Sequence, residues 1–164
     1  MYHCRKFQIM KLNSIILFIT IAILVGSCNY GEKEIIVVPK NYTSYIIIIY
    51  NQNHESQKKY LGSKRVYEIP KSGILKTKFA GNYGNIGLPE FYYGKISASS
   101  KIKYVLDLEK LSSKTVVASG GATGVADKNT DGKIEYQLFY IGNKEQTDKA
   151  HNDIEKLHIG TLAD

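Results

Sequence analysis

The chain has 164 residues and a formal charge of +7, and hydrophobic residues make up 43% of it. This length fits one domain of ordinary size, and the apolar content excludes disorder for most of the chain. The chain has 13 Tyr, 5 Phe and no Trp, and its apolar content is enough for a packed core.

The N-terminal part of the chain has the features of a targeting segment. Residues 15–25 form an apolar run about half as long as the roughly 20 residues that a membrane-spanning helix requires. Lys11 precedes the run, and the small residues Gly26 and Ser27 follow it directly before Cys28. A positive residue, a short apolar run and a small-residue cleavage site are the parts of a secretory signal peptide.

The sequence Val25-Gly26-Ser27-Cys28 resembles the lipobox of bacterial lipoproteins. This resemblance implies a signal peptide over 1–27 and a lipidated tether over 28–34, and it leaves one domain over 35–164. Cys28 would carry the lipid, with palmitate as the expected fatty acid, and would hold the protein at the cell envelope, on the outer membrane. An ordinary secretory signal that happens to end near a cysteine is the alternative.

Cleavage before Cys28 changes both the charge and the cysteine count. The discarded segment contains Arg5, Lys6 and Lys11 and no acid, so the mature chain is less basic than the full one. A modest positive charge does not by itself indicate nucleic-acid binding, and we expect no nucleic-acid partner. Because Cys4 is removed and Cys28 is lipidated, no thiol remains for a disulfide, a nucleophile or a metal site.

Two acids, Glu32 and Glu34, follow the cysteine in the polar tether. They loosely resemble the acidic surface-export signal of some Bacteroidota lipoproteins. A plain solvated linker is the alternative interpretation.

From Ile35 onward, β-branched and aromatic residues dominate, which favours strands. Residues 45–50 are six apolar residues in a row, which indicates a strand buried on both faces. Leu75, Thr77 and Phe79 alternate with lysines, as in a half-exposed strand. Further strands are predicted at 35–38, 65–69, 91–93, 102–108, 115–117 and 134–141.

The last two of these strands read as the arms of a hairpin with a long loop between them. The loop contains the glycine-rich stretch 119–124. No Lys-Ser/Thr pair and no predicted helix follow it, so we interpret it as a flexible limb and not as a phosphate-binding loop. Four apolar residues of the second arm are expected to share one face: Ile134, Tyr136, Leu138 and Tyr140.

The hydrophobic period changes near the C-terminus. Asn143 and Gln146 predict a capping box at the start of a helix, and Ala150, Ile154 and Leu157 then form a narrow apolar stripe. The sequence therefore predicts a mainly β protein. We expect a β-sandwich or small barrel of about eight strands with one C-terminal helix.

Four stretches of the chain are similar to one known family. They are 38–43 with 45–50, 64–70, 73–79 and 134–142. The family consists of uncharacterised bacterial lipoproteins, mostly from Bacteroidota, and is classed as a domain of unknown function. The resemblance covers about 35–160 and implies a β-rich lipoprotein. It supplies no catalytic or binding residues, because the family has no assigned activity.

The best local motif for a ligand is Asp-x-Asn-x-Asp-Gly at Asp127, Asn129 and Asp131. Three side-chain oxygens around a glycine turn, with a backbone carbonyl from Lys133, are typical of Ca²⁺ loops. The twelfth position should be a bidentate Glu but is Leu138, so any affinity for Ca²⁺ should be weak. A solvated hairpin loop is the alternative.

The remaining candidates for function are exposed tyrosines. Phe91, Tyr92 and Tyr93 are consecutive and cannot all point inward, so Tyr92 and Tyr93 are candidate binding residues. The chain has no Gly-x-Ser-x-Gly and no His-Glu-x-x-His motif. We therefore expect a non-enzymatic envelope module that binds a protein or a glycan and needs no cofactor. A weak Ca²⁺-stabilised module and a hydrolase with dispersed catalytic residues are the alternatives.

Overall fold

The computed structural model describes residues 31–53, 55, 57–84, 87–107, 109, 111–128 and 132–163. The expected signal peptide and Cys28 lie outside these residues. The described part of the chain forms ten strands and one α-helix. The elements are β1 (Glu34–Val38), β2 (Ser44–Ile49), β3 (Lys59–Leu61), β4 (Lys64–Glu68), β5 (Ile74–Lys76), β6 (Glu90–Tyr93), β7 (Lys101–Ile102), β8 (Tyr104–Val105), β9 (Val117–Asp127), β10 (Lys133–Gly142) and α1 (Lys144–Glu155), with 3-10 turns at Ala98–Ser100 and Ile159–Ala163.

The strands form two five-stranded sheets. The first sheet has the order β3-β4-β1-β6-β7, and the second has the order β5-β2-β10-β9-β8. β1 lies parallel to both β4 and β6, whereas β2 is antiparallel to β10 and parallel to β5. Because β1 and β2 belong to different sheets, the chain passes from one sheet to the other in the short turn that joins them.

The main core lies between the two sheets. Side chains alternate along β1, so Ile36 and Val38 face the second sheet and share a buried cluster with Phe91 of β6 and Phe139 of β10. The rings of Phe91 and Phe139 meet edge to face with centroids 5.2 Å apart. This contact joins β6, which neighbours the central strand of the first sheet, to β10, the central strand of the second.

β2 confirms the prediction of a strand that is buried on both faces. Ile46 and Ile48 belong to the core between the sheets, and Ile47 and Ile49 belong to a second cluster on the other face. All four side chains are fully buried. Leu157 and the C-terminal 3-10 turn pack against the second cluster.

The predicted capping box is present at the start of α1. Asn143 Oδ1 accepts a hydrogen bond from the Gln146 N–H, and Gln146 Oε1 accepts one from the Asn143 N–H, both at 3.0 Å. Ala150 and Ile154 are buried against Tyr140. The predicted mainly β architecture with one C-terminal helix is confirmed. Among the described residues, no helix has the length and apolarity needed to cross a bilayer.

The stretch 119–124 is part of strand β9 and not the flexible limb that the sequence predicts. It pairs with β10, and the register shifts between Leu138 and Phe139 so that Gly121 forms a β-bulge. Gly120 and Gly121 have φ angles of +94° and +108°, which glycine adopts at low cost. The glycines therefore shape a bulge in a long strand.

The predicted strand over 102–108 is also wrong in its extent. It is divided into β7 and β8, which belong to different sheets, and β8 ends at Val105. In a continuous strand over 102–108, Leu106 shares a face with Ile102 and Tyr104, but the structure leaves it 69% exposed. The inward and outward alternation of side chains does not continue from β7 to β8, because the chain crosses from one sheet to the other between these two short strands.

Glu34 is a buried residue of the fold, so its assignment to a solvated linker is wrong. It is the first residue of β1 and is 2% exposed. The Tyr67 hydroxyl donates to Glu34 Oε1 at 3.3 Å, and the Asn82 amide donates to the same oxygen at 2.8 Å. Glu32 is also engaged, by an ion pair with Arg65. The ordered domain therefore begins before residue 35.

Candidate functional site

A cleft lies between α1 and the segment that precedes β9. Its volume is about 410 Å³, which is within the range of small-molecule sites. The walls combine apolar and polar side chains. The lining residues are Glu109, Leu111, Tyr140, Lys144, Thr147, Asp148, His151 and Asn152.

The capping residues of α1 hold the two walls of the cleft together. Asn143 Nδ2 donates to the carbonyl of Ser113 at 3.0 Å, and the Lys144 N–H donates to the carbonyl of Ser112 at 3.0 Å. The first turn of the helix is thereby fixed against the segment before β9. Because residues three or four apart share a helix face, Lys144, Thr147 and His151 all face the cleft.

Tyr140 and His151 form the floor of the cleft. The Tyr140 hydroxyl and His151 Nδ1 are 3.0 Å apart and share a hydrogen bond. Burial raises the pKa of Tyr140, so the phenol stays protonated at neutral pH. His151 Nε2 lies 3.4 Å from Glu155 Oε1. The floor is therefore polar at one edge, where the imidazole lies, and aromatic elsewhere.

Thr147 lines the cleft and has an unpaired polar atom on its buried side. Its side chain is 4% exposed, and its Oγ1 has no hydrogen-bond partner among the described residues. A buried hydroxyl without a partner costs about 1–3 kcal/mol of stability. The oxygen is shielded from solvent and lies against Gly142 at the end of β10, so it sits behind the wall of the cleft and a ligand in the cleft does not reach it.

The rim of the cleft carries both donors and acceptors. Lys144 Nζ lies 2.9 Å from Asp148 Oδ2 in an exposed ion pair. Glu109 and Asn152 add a carboxylate and an amide. The cleft thus offers an apolar floor with polar groups around it, a combination suited to binding a molecule that has one apolar face and several hydroxyls.

The structure separates the two predicted binding tyrosines. Tyr92 is 7% exposed, and its hydroxyl donates to Glu90 Oε2 at 2.6 Å. Tyr93 turns to the other face and donates to the carbonyl of Tyr42 at 3.2 Å. Tyr92 and Tyr93 therefore do not form one surface patch, and their role in binding stays a prediction.

The predicted Ca²⁺ loop is described only in part. Asp127 is exposed at the end of β9, whereas Asn129 and Asp131 lie outside the described residues. Leu138, at the twelfth position, packs beneath the C-terminal segment. In the part of the chain that the structure describes, no three His, Cys, Asp or Glu side chains cluster as metal ligands would. Ca²⁺ binding stays the alternative interpretation of this loop.

A second polar cluster lies inside the sandwich around Glu34. Besides its bonds to Tyr67 and Asn82, it approaches Tyr50, whose hydroxyl donates to Gln137 Oε1 at 2.6 Å. Burial is the main cause that raises the pKa of Glu34, Tyr50 and Tyr67. Glu34 Oε2 has no partner among the described residues. This cluster is enclosed by the two sheets, and we interpret it as structural.

Sequence reasoning missed the cleft residues Tyr140, Thr147 and His151. These three residues are of different types and do not form a recognised sequence motif. The available signal was the spacing of Thr147 and His151, four residues apart on a helix whose start the capping box predicts. The contribution of Tyr140 depends on the pairing of β10 and on the packing of the helix, which no local pattern encodes.

Comparison with known proteins gives a family and no activity. The fold is similar to the 2.75 Å crystal structure of a Bacillus anthracis protein that is named only provisionally as a lipoprotein, with 15% identity, a TM-score of 0.48, and coverage of 68% of this chain and 70% of that one. This likeness is too weak to bear on function. No curated protein matches the chain. A family model matches residues 30–150, and the chain belongs to that family, the family of unknown function DUF6843.

Proposed function

We propose that this protein is a bacterial envelope lipoprotein that binds a small glycan in the cleft beside α1, without catalysis. Two independent features support the proposal. The sequence Val25-Gly26-Ser27-Cys28 at the end of a short apolar run supports the lipid anchor on the envelope. A cleft of about 410 Å³ whose walls combine Tyr140 and Leu111 with polar side chains supports the binding site.

A sugar matches the chemistry of the cleft. A pyranose ring has an apolar face of C–H groups and a rim of hydroxyls that both donate and accept hydrogen bonds. Tyr140 and Leu111 provide apolar surface, and Lys144, Asp148 and Asn152 provide polar partners around it. Aromatic side chains with a polar edge suit such mixed ligands. The volume favours a small molecule or the end of a glycan chain over a folded protein.

The same groups are poorly suited to hydrolysis. The pKa of Tyr140 is raised by burial, so its phenol is not a ready nucleophile at neutral pH. Asp148 is paired with Lys144. A binding role therefore agrees better with these contacts than a catalytic one.

Titration of the detergent-solubilised mature protein with glucose, galactose, mannose and N-acetylglucosamine tests the cleft. We expect NMR amide shifts concentrated in α1 and residues 109–114. Asn152→Ala removes an exposed amide of the cleft wall and should weaken binding about fivefold, because one net hydrogen bond contributes about 1 kcal/mol. Lys149→Ala, on an exposed position of the same helix, is the matched control and should bind as the wild type does.

Two results would contradict the proposed site. The first is the absence of shifts with every sugar, and the second is equal affinity of the Asn152→Ala and wild-type proteins. The anchor is tested separately by Cys28→Ser, which should move the protein from the membrane fraction to the soluble fraction. A variant that stays in the membrane fraction would count against the anchor on Cys28.

A further inference from the structure

The first described residues of the chain are held firmly against one end of the sandwich. The Glu32 N–H donates to Asn82 Oδ1 at 3.0 Å, and the Asn82 amide donates to the Glu32 carbonyl at 2.7 Å. Arg65 pairs with the Glu32 carboxylate. The Arg65 N–H donates to the carbonyl of Lys33 at 2.9 Å. The chain is therefore fixed to the domain from Glu32 onward.

Little chain is left between this fixed point and the proposed lipid. Cys28 and Glu32 are four residues apart, and four extended residues span at most about 14 Å. A lipid on Cys28 lies in the bilayer, so the end of the sandwich that holds Glu32 must lie close to the membrane surface. We call this end, where β1 begins, the proximal end.

Exposed apolar side chains are concentrated at the proximal end. Of the seven large hydrophobic side chains that are exposed among the described residues, five belong to it, whereas Ile96 follows β6 at the opposite end. The exposed fractions range from 47% for Tyr60 to 61% for Leu88. The five side chains are Tyr60, Leu61, Tyr83, Leu88 and Val125.

Strand register and contacts fix the position of each of these side chains. Tyr60 and Leu61 lie in the hairpin of β3 and β4, opposite Arg65 and Lys64. Tyr83 follows Asn82 directly. Leu88 lies two residues before Glu90, and Glu90 pairs with Ile35 at the start of β1. Val125 pairs with Glu135, and Tyr83 contacts Glu135.

Lysines surround the apolar side chains of the proximal end. Lys58 lies over the ring of Phe79, on which Tyr60 packs. The acids at this end are mostly engaged, since Glu32 pairs with Arg65 and Glu135 accepts from Asn51; Asp127 faces Lys133 in the strand register. The lysines at this end include Lys64, which pairs with Glu90, together with Lys33, Lys58, Lys128 and Lys133.

We propose that the proximal end rests on an anionic membrane surface, with Tyr60, Leu61 and Tyr83 in the headgroup layer. Tyrosine is suited to this layer because its ring is apolar and its hydroxyl is polar. The lysines add attraction to anionic lipid within a Debye length of the surface. The proposal rests on the proposed anchor at Cys28. In this arrangement the domain has a fixed orientation relative to the membrane, and its opposite end faces away from the bilayer.

Single-cysteine labelling of the lipidated mature protein tests this orientation. The chain has two cysteines, Cys4 and Cys28. Cys4 lies in the expected signal peptide, and the thiol of Cys28 carries the proposed lipid. A cysteine introduced elsewhere therefore gives a unique site for labelling. Leu61→Cys and Tyr83→Cys place an environment-sensitive fluorophore at the proximal end, and Ile96→Cys is the matched control. The proteins are bound to phosphatidylethanolamine and phosphatidylglycerol vesicles that contain a nitroxide-labelled lipid.

We expect the lipid nitroxide to quench the fluorophores at positions 61 and 83 several-fold more than the fluorophore at position 96. Quenching at 61 and 83 should also rise with the phosphatidylglycerol content. Equal quenching at all three positions, in a protein that cosediments with the vesicles, would overturn the orientation and leave the anchor intact. Failure of the lipidated protein to cosediment would overturn the anchor and the orientation together.

Discussion

Asn82 contacts the backbone of Glu32 in both directions, accepting from its N–H at 3.0 Å and donating to its carbonyl at 2.7 Å. The Asn82 amide also donates to Glu34 Oε1 at 2.8 Å. One side chain thus takes the place of a strand partner for Glu32 and supplies a donor to a buried carboxyl. This links the start of the ordered domain to its interior polar cluster.

We expect Asn82→Ala to lower the free energy of unfolding by about 2–3 kcal/mol, because it removes three hydrogen bonds and leaves partly buried groups without partners. Urea denaturation measures this difference. Asn53→Ala, in an exposed turn, is the control and should change stability little. Equal stability of Asn82→Ala and wild type would show that water replaces these bonds at no cost.

The buried carboxyl of Glu34 should make the protein less stable as the pH rises. Burial raises the pKa of Glu34 above its usual 4.5, so the folded state holds the proton more tightly than the unfolded state. The resulting stabilisation is complete below pH 4.5 and is lost as the pH rises through the folded-state pKa.

Unfolding measured as a function of pH in wild type and Glu34→Gln isolates this contribution. The amide of the variant does not titrate. We therefore expect the free energy of unfolding to decline less above pH 4.5 in the variant than in the wild type. Identical pH profiles of the two proteins would mean that the pKa of Glu34 is the same in the folded and the unfolded state.

Glu90 should have the opposite pH dependence. The hydrogen bond from Lys64, followed by that from Tyr92, lowers the pKa of Glu90 to about 2. Its contribution is therefore complete above pH 4.5 and is lost as the pH falls through about 2. Since the carboxylate is partly exposed, we expect Glu90→Gln to cost only about 1 kcal/mol at neutral pH.

Acid titration of the unfolding free energy measures the effect of Glu90→Gln. The difference between the variant and the wild type should shrink as the pH falls toward about 2. A difference that is constant with pH would indicate lost packing instead of a lost charge interaction. Lys101→Ala, which removes the longer contact at 3.4 Å, should have a smaller effect than Glu90→Gln.

Elements that depend on local pattern were predictable from the sequence. The run of isoleucines in β2 indicates burial on both faces, and Ile46 and Ile47 do pack into clusters on opposite faces. The capping box of Asn143 and Gln146 likewise depends only on residues three apart.

Elements that depend on distant partners were not predictable. The glycines of β9 look like a loop, and only pairing with β10 makes Gly121 a bulge. Glu34 looks like a solvated acid, and only Tyr67 and Asn82 make it a core residue. The cleft requires Tyr140 from a strand and Thr147 from the helix, which meet through tertiary packing.

We expect Ca²⁺ to leave the melting temperature unchanged. Asp127 is followed by Lys128, and Lys133 follows the loop, so two cations flank the candidate ligands. Leu138 lies in an apolar cluster and supplies no oxygen at the twelfth position. Thermal melts in millimolar Ca²⁺ and in chelator make the comparison. A higher melting temperature with Ca²⁺, abolished by Asp131→Asn, would instead establish the loop as a Ca²⁺ site.

Mass spectrometry of the N-terminal peptide tests the proposed anchoring most directly. The protein is isolated from the envelope of the cells that naturally produce it. We predict a peptide that begins at Cys28, with lipid on the thiol and an acyl group on the α-amine. A peptide that begins elsewhere, or an unmodified Cys28 in a protein recovered from the soluble fraction, would contradict the account.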